Sequence, residues 1–169
     1  MEIERKFLAD PSALSLDQYA RKEMSQGYIS TDPVIRIRRS NDSYILTVKS
    51  GGLLAREEFE TELTGEQFDR LSAKVEGTFL SKTRYLIPYP VSEKELTIEL
   101  DLFHGALDGL IYAEVEFDSV EEAEAFVPPA WFLREVTEDG SFTNAALSRL
   151  SPDEVPIFLD RVRNLSDVN

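Results

Sequence analysis

The chain has no cysteine, one histidine, one tryptophan and two methionines in 169 residues. Without cysteine there can be no disulfide framework, thiolate metal site or cysteine nucleophile, and a reducing, cytoplasmic setting is expected. The one histidine, His104, lies beside a turn and reads as a surface or capping residue. Serine and threonine hydroxyls lack a His–Asp partnership, so an acyl-transfer triad is set aside. No apolar stretch approaches the length of a membrane span, and no apolar h-region follows the charged N-terminus. Neither insertion nor secretion is expected. Positive charge is also scarce. Eighteen Lys and Arg against 32 Asp and Glu leave a net charge of −14, which disfavours general nucleic-acid binding.

Hydrophobic residues make up 42% of the chain and charged residues 30%, the balance of a soluble globular domain with a real core. No repeat, low-complexity tract or long linker divides it, so residues 1–169 read as one domain. The charge is uneven. Residues 1–63 carry 9 basic and 11 acidic side chains, a balance of −2, and residues 64–169 carry 9 and 21, a balance of −12. Cations can therefore gather at one site inside an acidic exterior.

Eight stretches read as strands: 1–8, 25–31, 33–39, 43–49, 54–63, 78–88, 95–104 and 109–118. Asn41-Asp42 and Ser50-Gly51-Gly52 are good turns between them, and such short connections imply antiparallel neighbours. Capping boxes at Thr64–Gln67 and Ser119–Glu122 open helices. Ser141 is expected to cap a helix carrying Phe142, Ala146 and Leu150. Ser151-Pro152-Asp153-Glu154 opens a C-terminal helix over about 152–165. Residues 11–23 read as a short helix. Trp131, after Pro128-Pro129, is expected to pack in the core, and Arg134 to be solvated. The class is α+β: one large antiparallel sheet or closed barrel with helices packed outside.

Along a strand, alternate residues share a face. In MEIERKF this puts Glu2, Glu4 and Lys6 together, with i and i+2 side chains about 7 Å apart. The same sorting recurs on six further strands. The cations on this face are Lys6, Arg36, Arg38, Lys49, Arg56, Lys82 and Arg84. The carboxylates are Glu2, Glu4, Glu58, Glu60, Glu99, Asp101, Glu114 and Glu116. Tyr28 shares its strand with polar residues and would either reach a phosphate or pack. An open sheet would leave this face to water. A closed eight-stranded sheet would turn it into a lumen around one small ligand. The near-absence of neutral polar residues favours the lumen, because a dehydrated charged lumen needs partners. Arginine forks suit phosphate oxygens, and carboxylates with no cysteine suit a hard ion such as Mg²⁺ or Mn²⁺.

This constellation resembles the CYTH superfamily, the triphosphate tunnel metalloenzymes. The matching motifs run in order: Glu2-Ile3-Glu4-Arg5-Lys6, Gln26-Gly27-Tyr28-Ile29, Arg36-Ile37-Arg38, Leu46-Thr47-Val48-Lys49, and Arg56 with Glu58 and Glu60. Lys82-Thr83-Arg84-Tyr85, Glu99-Leu100-Asp101, Ala113-Glu114-Val115-Glu116 and Glu135-Val136-Thr137 follow, so the resemblance covers about residues 1–150. It implies an eight-stranded antiparallel closed β-barrel holding a triphosphate with Mg²⁺ or Mn²⁺. Among the superfamily's activities, the chain is most similar to small bacterial inorganic tripolyphosphatases. The implied reaction is hydrolysis of tripolyphosphate to pyrophosphate and phosphate. The rival readings are a class IV-type adenylate cyclase, a nucleoside or thiamine triphosphatase, and a non-catalytic polyphosphate-binding module.

On this resemblance Lys6, Arg36, Arg38, Lys49, Arg56, Lys82, Arg84 and Tyr28 hold phosphates. Glu2, Glu4, Glu114 and Glu116, with Asp101 near them, hold metal. Glu58 and Glu60 position or deprotonate water, and Lys6 also stabilises the charge of the reacting phosphate. The C-terminal helix reads as packing or as a plug at a tunnel mouth. A monomer or homodimer is expected.

Overall fold

The computed structural model describes residues 1–167. The strands are β1 (Glu2–Ala9), β2 (Ala20–Thr31), β3 (Val34–Ser40), β4 (Ser43–Lys49), β5 (Ala55–Arg56), β6 (Glu58–Leu63), β7 (Glu76–Val91), β8 (Lys94–Phe103), β9 (Ile111–Phe117) and β10 (Phe132–Glu135). The helices are α1 (Gly65–Ser72), α2 (Val120–Ala125), α3 (Asn144–Ser148) and α4 (Glu154–Asp167). The strands form one sheet in the order β10-β1-β9-β8-β7-β2-β3-β4-β6, and every pairing is antiparallel.

The sheet closes through the segment around Glu57. β6 pairs with β4, while β5, immediately before it, pairs with the start of β1. β5 and β6 are thus one broken strand, and the ring has the eight walls expected of a tunnel. β10, absent from the sequence reading, is a short flap on the far half of β1, opposite Phe7–Ala9.

The two faces of the wall bury different things. On the outer face, Ile3 and Phe7 of β1, Ile98 and Leu100 of β8, and Val115 and Phe117 of β9 pack against Ala123 and Phe126 of the α2 region and Phe132 of β10. α2 can sit there because the Ser119 hydroxyl accepts the Glu122 N–H, satisfying a donor that the helix start leaves free. α1 covers another stretch of wall, where Phe68 meets Tyr44 and Phe79.

On the inner face the charged residues give way at one end to Leu8, Leu80, Phe103 and Tyr112. Each lies two positions along its strand from an inward-facing charge, Lys6, Lys82, Asp101 or Glu114. Phe142 and Leu147 from the α3 region, and Phe158 and Val162 of α4, pack onto them. Burying each of these large apolar side chains contributes about 1.5–3 kcal/mol. This cluster stoppers one end of the barrel. The plug role left open for the C-terminal helix is therefore shared with α3, and these two helices are not simply packed on the outside.

Three local expectations are corrected. Residues 11–23 contain only a single helical turn at Leu16–Gln18, and Ala20–Met24 already belong to β2, paired with Leu86–Lys82. Residues 20–23 of β2 are exposed on both faces, so they carry no apolar alternation to mark them. The helix expected from Ser141 splits into a turn at Gly140–Phe142 and α3, whose cap is Thr143. The run 54–63 breaks at Glu57, as described above. Among the described residues no helix is long and apolar enough to cross a membrane.

Candidate active site

A cavity of about 410 Å³ occupies the barrel, lined mostly by charged side chains. Strand register explains the convergence. Residues directly opposite in an antiparallel pair share a face. Glu2 lies opposite Arg56, Glu4 opposite Glu116, Lys6 opposite Glu114, Lys49 opposite Glu58, Thr47 opposite Glu60, and Tyr28 opposite Arg36. Of the residues expected at the site, Lys6, Tyr28, Arg36, Arg38, Lys49, Arg56, Glu58, Glu60, Arg84, Glu2, Glu4, Glu114 and Glu116 all line the cavity, and Glu99 joins them.

Lys82 and Asp101 do not line it. Both are on the inner face but fully buried beside the stoppered end, and bonded to each other at 2.6 Å. Asp101 also accepts from Arg84 Nε at 2.7 Å and Nη2 at 2.8 Å. Its two oxygens are thus committed to two cations, which sets the geometry against the metal-ligand role expected for it. Burial would raise Asp101, but Arg84 and Lys82 outweigh it and hold the carboxyl below its usual range. Burial pulls Lys82 down to about 7, against the opposing pull of Asp101. Arg84 is therefore the firmer counter-ion of the two.

Most other lumenal charges neutralise one another. Lys49 Nζ lies 2.8 Å from Glu2 and 3.5 Å from Glu58. Arg56 reaches Glu2 at 3.2 Å and Glu4 at 3.7 Å. Lys6 is 3.7 Å from Glu114, and Arg84 also pairs with Glu99. Arg36 and Arg38 differ. Among the described residues neither has an ion-pair partner. Arg36 donates to the Thr47 hydroxyl and Arg38 to Gln26 Oε1, and Arg36 Nε is buried with no partner. Burial, together with the neighbouring Arg36 and Arg84, pulls Arg38 down to about 9. Two adjacent guanidinium groups held unpaired in a lumen demand an anion.

The carboxylates show the opposite demand. Burial and repulsion from Glu114 push Glu4 up to about 8. A hydrogen bond with Glu2 and burial push Glu58 up to about 8. Burial would raise Glu2 as well, but the Glu58 hydrogen bond, Lys49 and Arg56 hold it down. Buried Glu58 Oε2 and Glu114 Oε1 have no hydrogen-bond partner. Crowded, unsatisfied carboxylate oxygens fit a hard divalent cation. Among the described residues, no three acidic or histidine side chains are yet drawn together at ligand spacing.

Residues 1–140 match the CYTH domain family. The chain belongs to that family. CYTH relatives named inorganic triphosphatase include one from Nitrosomonas europaea, 40% identical over 89% of this chain and 99% of that protein. Another, from Acetivibrio thermocellus, is 34% identical over 86% of this chain and 92% of that protein. The fold also matches a crystal structure of an inorganic triphosphatase, with TM-score 0.63 and 37% identity, covering 90% of this chain and 97% of the other. A Pyrococcus horikoshii OT3 protein, 19% identical with TM-score 0.55 over 73% of this chain and 84% of its own, shares the fold.

The sequence reading of this CYTH lumen missed Thr143, Asn144 and Ala145, which line the cavity from the stopper. They carry no strand alternation, and only the chain's return across the barrel end brings them in. His104 is exposed, its Nε2 2.7 Å from the Thr83 hydroxyl on the outer wall, and Arg134 is exposed too. Trp131 is half-buried, edge-on to Phe132.

Proposed function

We propose that this CYTH protein is an inorganic triphosphatase that uses a divalent metal to hydrolyse tripolyphosphate to pyrophosphate and phosphate. The observation that carries this reading is the pair of arginines, Arg36 and Arg38, left without ion-pair partners among the described residues in a lumen where Glu58 and Glu114 each keep an oxygen without a hydrogen bond. A linear polyphosphate supplies the missing anion, and the two relatives named inorganic triphosphatase support the substrate class.

Arg36 and Arg38 seat phosphates as forked donors. Lys6, Lys49 and Arg56 turn from their carboxylates toward phosphate oxygens, Arg84 faces them while held by Asp101, and all four stabilise charge that develops during transfer. Tyr28, opposite Arg36, donates its hydroxyl to the same phosphate. Lys82 and Asp101 act by fixing Arg84. Glu2, Glu4, Glu114 and Glu116 would hold Mg²⁺ or Mn²⁺, which supplies charge neutralisation and orientation at the reacting phosphate. Glu58 and Glu60 orient the attacking water and take its proton. Water oxygen bonds to phosphorus, the bridging P–O bond breaks, and pyrophosphate leaves with the bridging oxygen. No nucleic acid takes part, a monomer or homodimer suffices, and the cysteine-free chain suits a reducing cytoplasm.

Phosphate release is measured from tripolyphosphate, ATP, GTP, thiamine triphosphate and pyrophosphate, with Mg²⁺, Mn²⁺ or EDTA, alongside an assay for cyclic nucleotide. EDTA-sensitive release from tripolyphosphate is the expected result. Preferred turnover of a nucleotide, a cyclic product, or stabilisation by tripolyphosphate without turnover would each overturn the substrate or the chemistry.

A further inference from the structure

Because one end of the barrel is stoppered, the lumen is blind, and its deep wall comes from a segment that no strand pattern announces. That segment is bolted to two inward-facing lysines, one lining the cavity and one buried beside it. Lys6 Nζ donates to the Phe142 carbonyl at 3.0 Å, and Lys82 Nζ to Asn144 Oδ1 at 3.4 Å. Thr143 is already used, since its hydroxyl caps α3 at Ala146 N–H and donates to the Gly140 carbonyl. Ala145 has no polar side chain. Asn144 is the exception. An ammonium group only donates, so the amide must turn its oxygen to Lys82. Its donor end, Nδ2, has no hydrogen-bond partner among the described residues, although Asn144 lines the cavity.

We propose that Asn144 is a substrate-positioning residue that donates through Nδ2 to the terminal phosphate that reaches the blind end. Lys82 fixes the amide, and Asp101 fixes Lys82, so the donor is oriented before substrate arrives. The proposal rests on the triphosphatase reading and adds to it a residue that fixes how deep in the lumen a terminal phosphate sits.

The test is steady-state hydrolysis of tripolyphosphate with Mg²⁺ by wild type, Asn144→Asp and Asn144→Ser, with thermal unfolding with and without tripolyphosphate. Asn144→Asp keeps the size and the link to Lys82 but replaces the donor with a charge that repels phosphate. A lost hydrogen bond to a charged partner is worth about tenfold or more in affinity. Asn144→Asp should therefore raise KM at least about tenfold, with kcat within about threefold, the melting temperature kept, and the tripolyphosphate-induced shift reduced. Asn144→Ser should raise KM by a smaller factor. Wild-type KM in Asn144→Asp would overturn the proposal and leave the triphosphatase reading standing, since a packing role is met equally well by aspartate. If wild type neither hydrolyses tripolyphosphate nor is stabilised by it, the triphosphatase reading falls, and this proposal with it.

Discussion

Replacing Asp101 by asparagine removes one charge from a buried triad while keeping its shape. Asp101 holds Lys82 at 2.6 Å and Arg84 at 2.7 and 2.8 Å, with no solvent exposure of its own. Breaking a buried ion pair from one side costs about 3–5 kcal/mol, because the other charges stay buried and unpaired. Lys82, already pulled down to about 7, escapes part of that cost by giving up its proton. The lower end, about 3 kcal/mol, is therefore expected near pH 7. For a chain of this size that is a fall in melting temperature of about 6–12 °C. The sign of the pH dependence follows from Lys82. Without Asp101 its folded pKa drops further below the unfolded 10.5, so the unfolded chain binds the extra proton and folding weakens as pH falls. The deficit of Asp101→Asn against wild type should accordingly be larger at pH 6 than at pH 8. The assay is thermal unfolding across that range, with hydrolysis measured against Mg²⁺ concentration. An unchanged melting temperature together with a large rise in the Mg²⁺ required would refute the reasoning and make Asp101 a metal ligand.

Three further outcomes test other parts of the molecule. Glu4→Gln should abolish metal-dependent turnover, whereas Arg5→Gln should keep kcat but lose about 1–3 kcal/mol of stability. Arg5 faces outward and ties Glu135 to the Ala123 and Phe126 carbonyls, so equal loss of kcat would mean the faces are misassigned. In EDTA, stability should fall as pH rises from about 4.5 to about 8, because folded Glu4 and Glu58 keep protons that the unfolded chain has released. A flat melting profile, or one that Glu4→Gln does not flatten, would count against the crowded-carboxylate account. Gly77→Ala should destabilise more than Gly105→Ala. Both glycines have positive φ, at 69° and 66°, but only at Gly77 would a Cβ lie 2.3 Å from a backbone oxygen, that of Ser148, so equal losses in thermal unfolding would argue against a tight seat for α3.

Two-residue periodicity alone placed the lumenal charges on one side of seven strands, because on a strand the facing of side chains is a local property. Glu2, Glu4 and Lys6 point inward for a reason visible in five residues, and the turn at Asn41-Asp42 and the cap at Thr64 are equally local. Closure is not local. That β5 crosses to β1 while β6 stays on β4 depends on a break at Glu57 that has no distinctive residue chemistry. The division of labour among like residues is also tertiary. Arg84 and Arg38 look interchangeable in sequence, yet one is locked by Asp101 and the other has no ion-pair partner among the described residues. Asp101 and Glu114 both read as ligands, until burial and register bond both oxygens of Asp101 to two cations and leave an oxygen of Glu114 with longer ion pairs and no hydrogen bond. The blind end, with Asn144 on it, comes from a segment about 140 residues from β1 in sequence. Its presence in the lumen depends on Phe142, Leu147, Phe158 and Val162 finding Leu8, Leu80, Phe103 and Tyr112. Local pattern chose which side chains face the lumen, and long-range burial chose which of them remain free to bind.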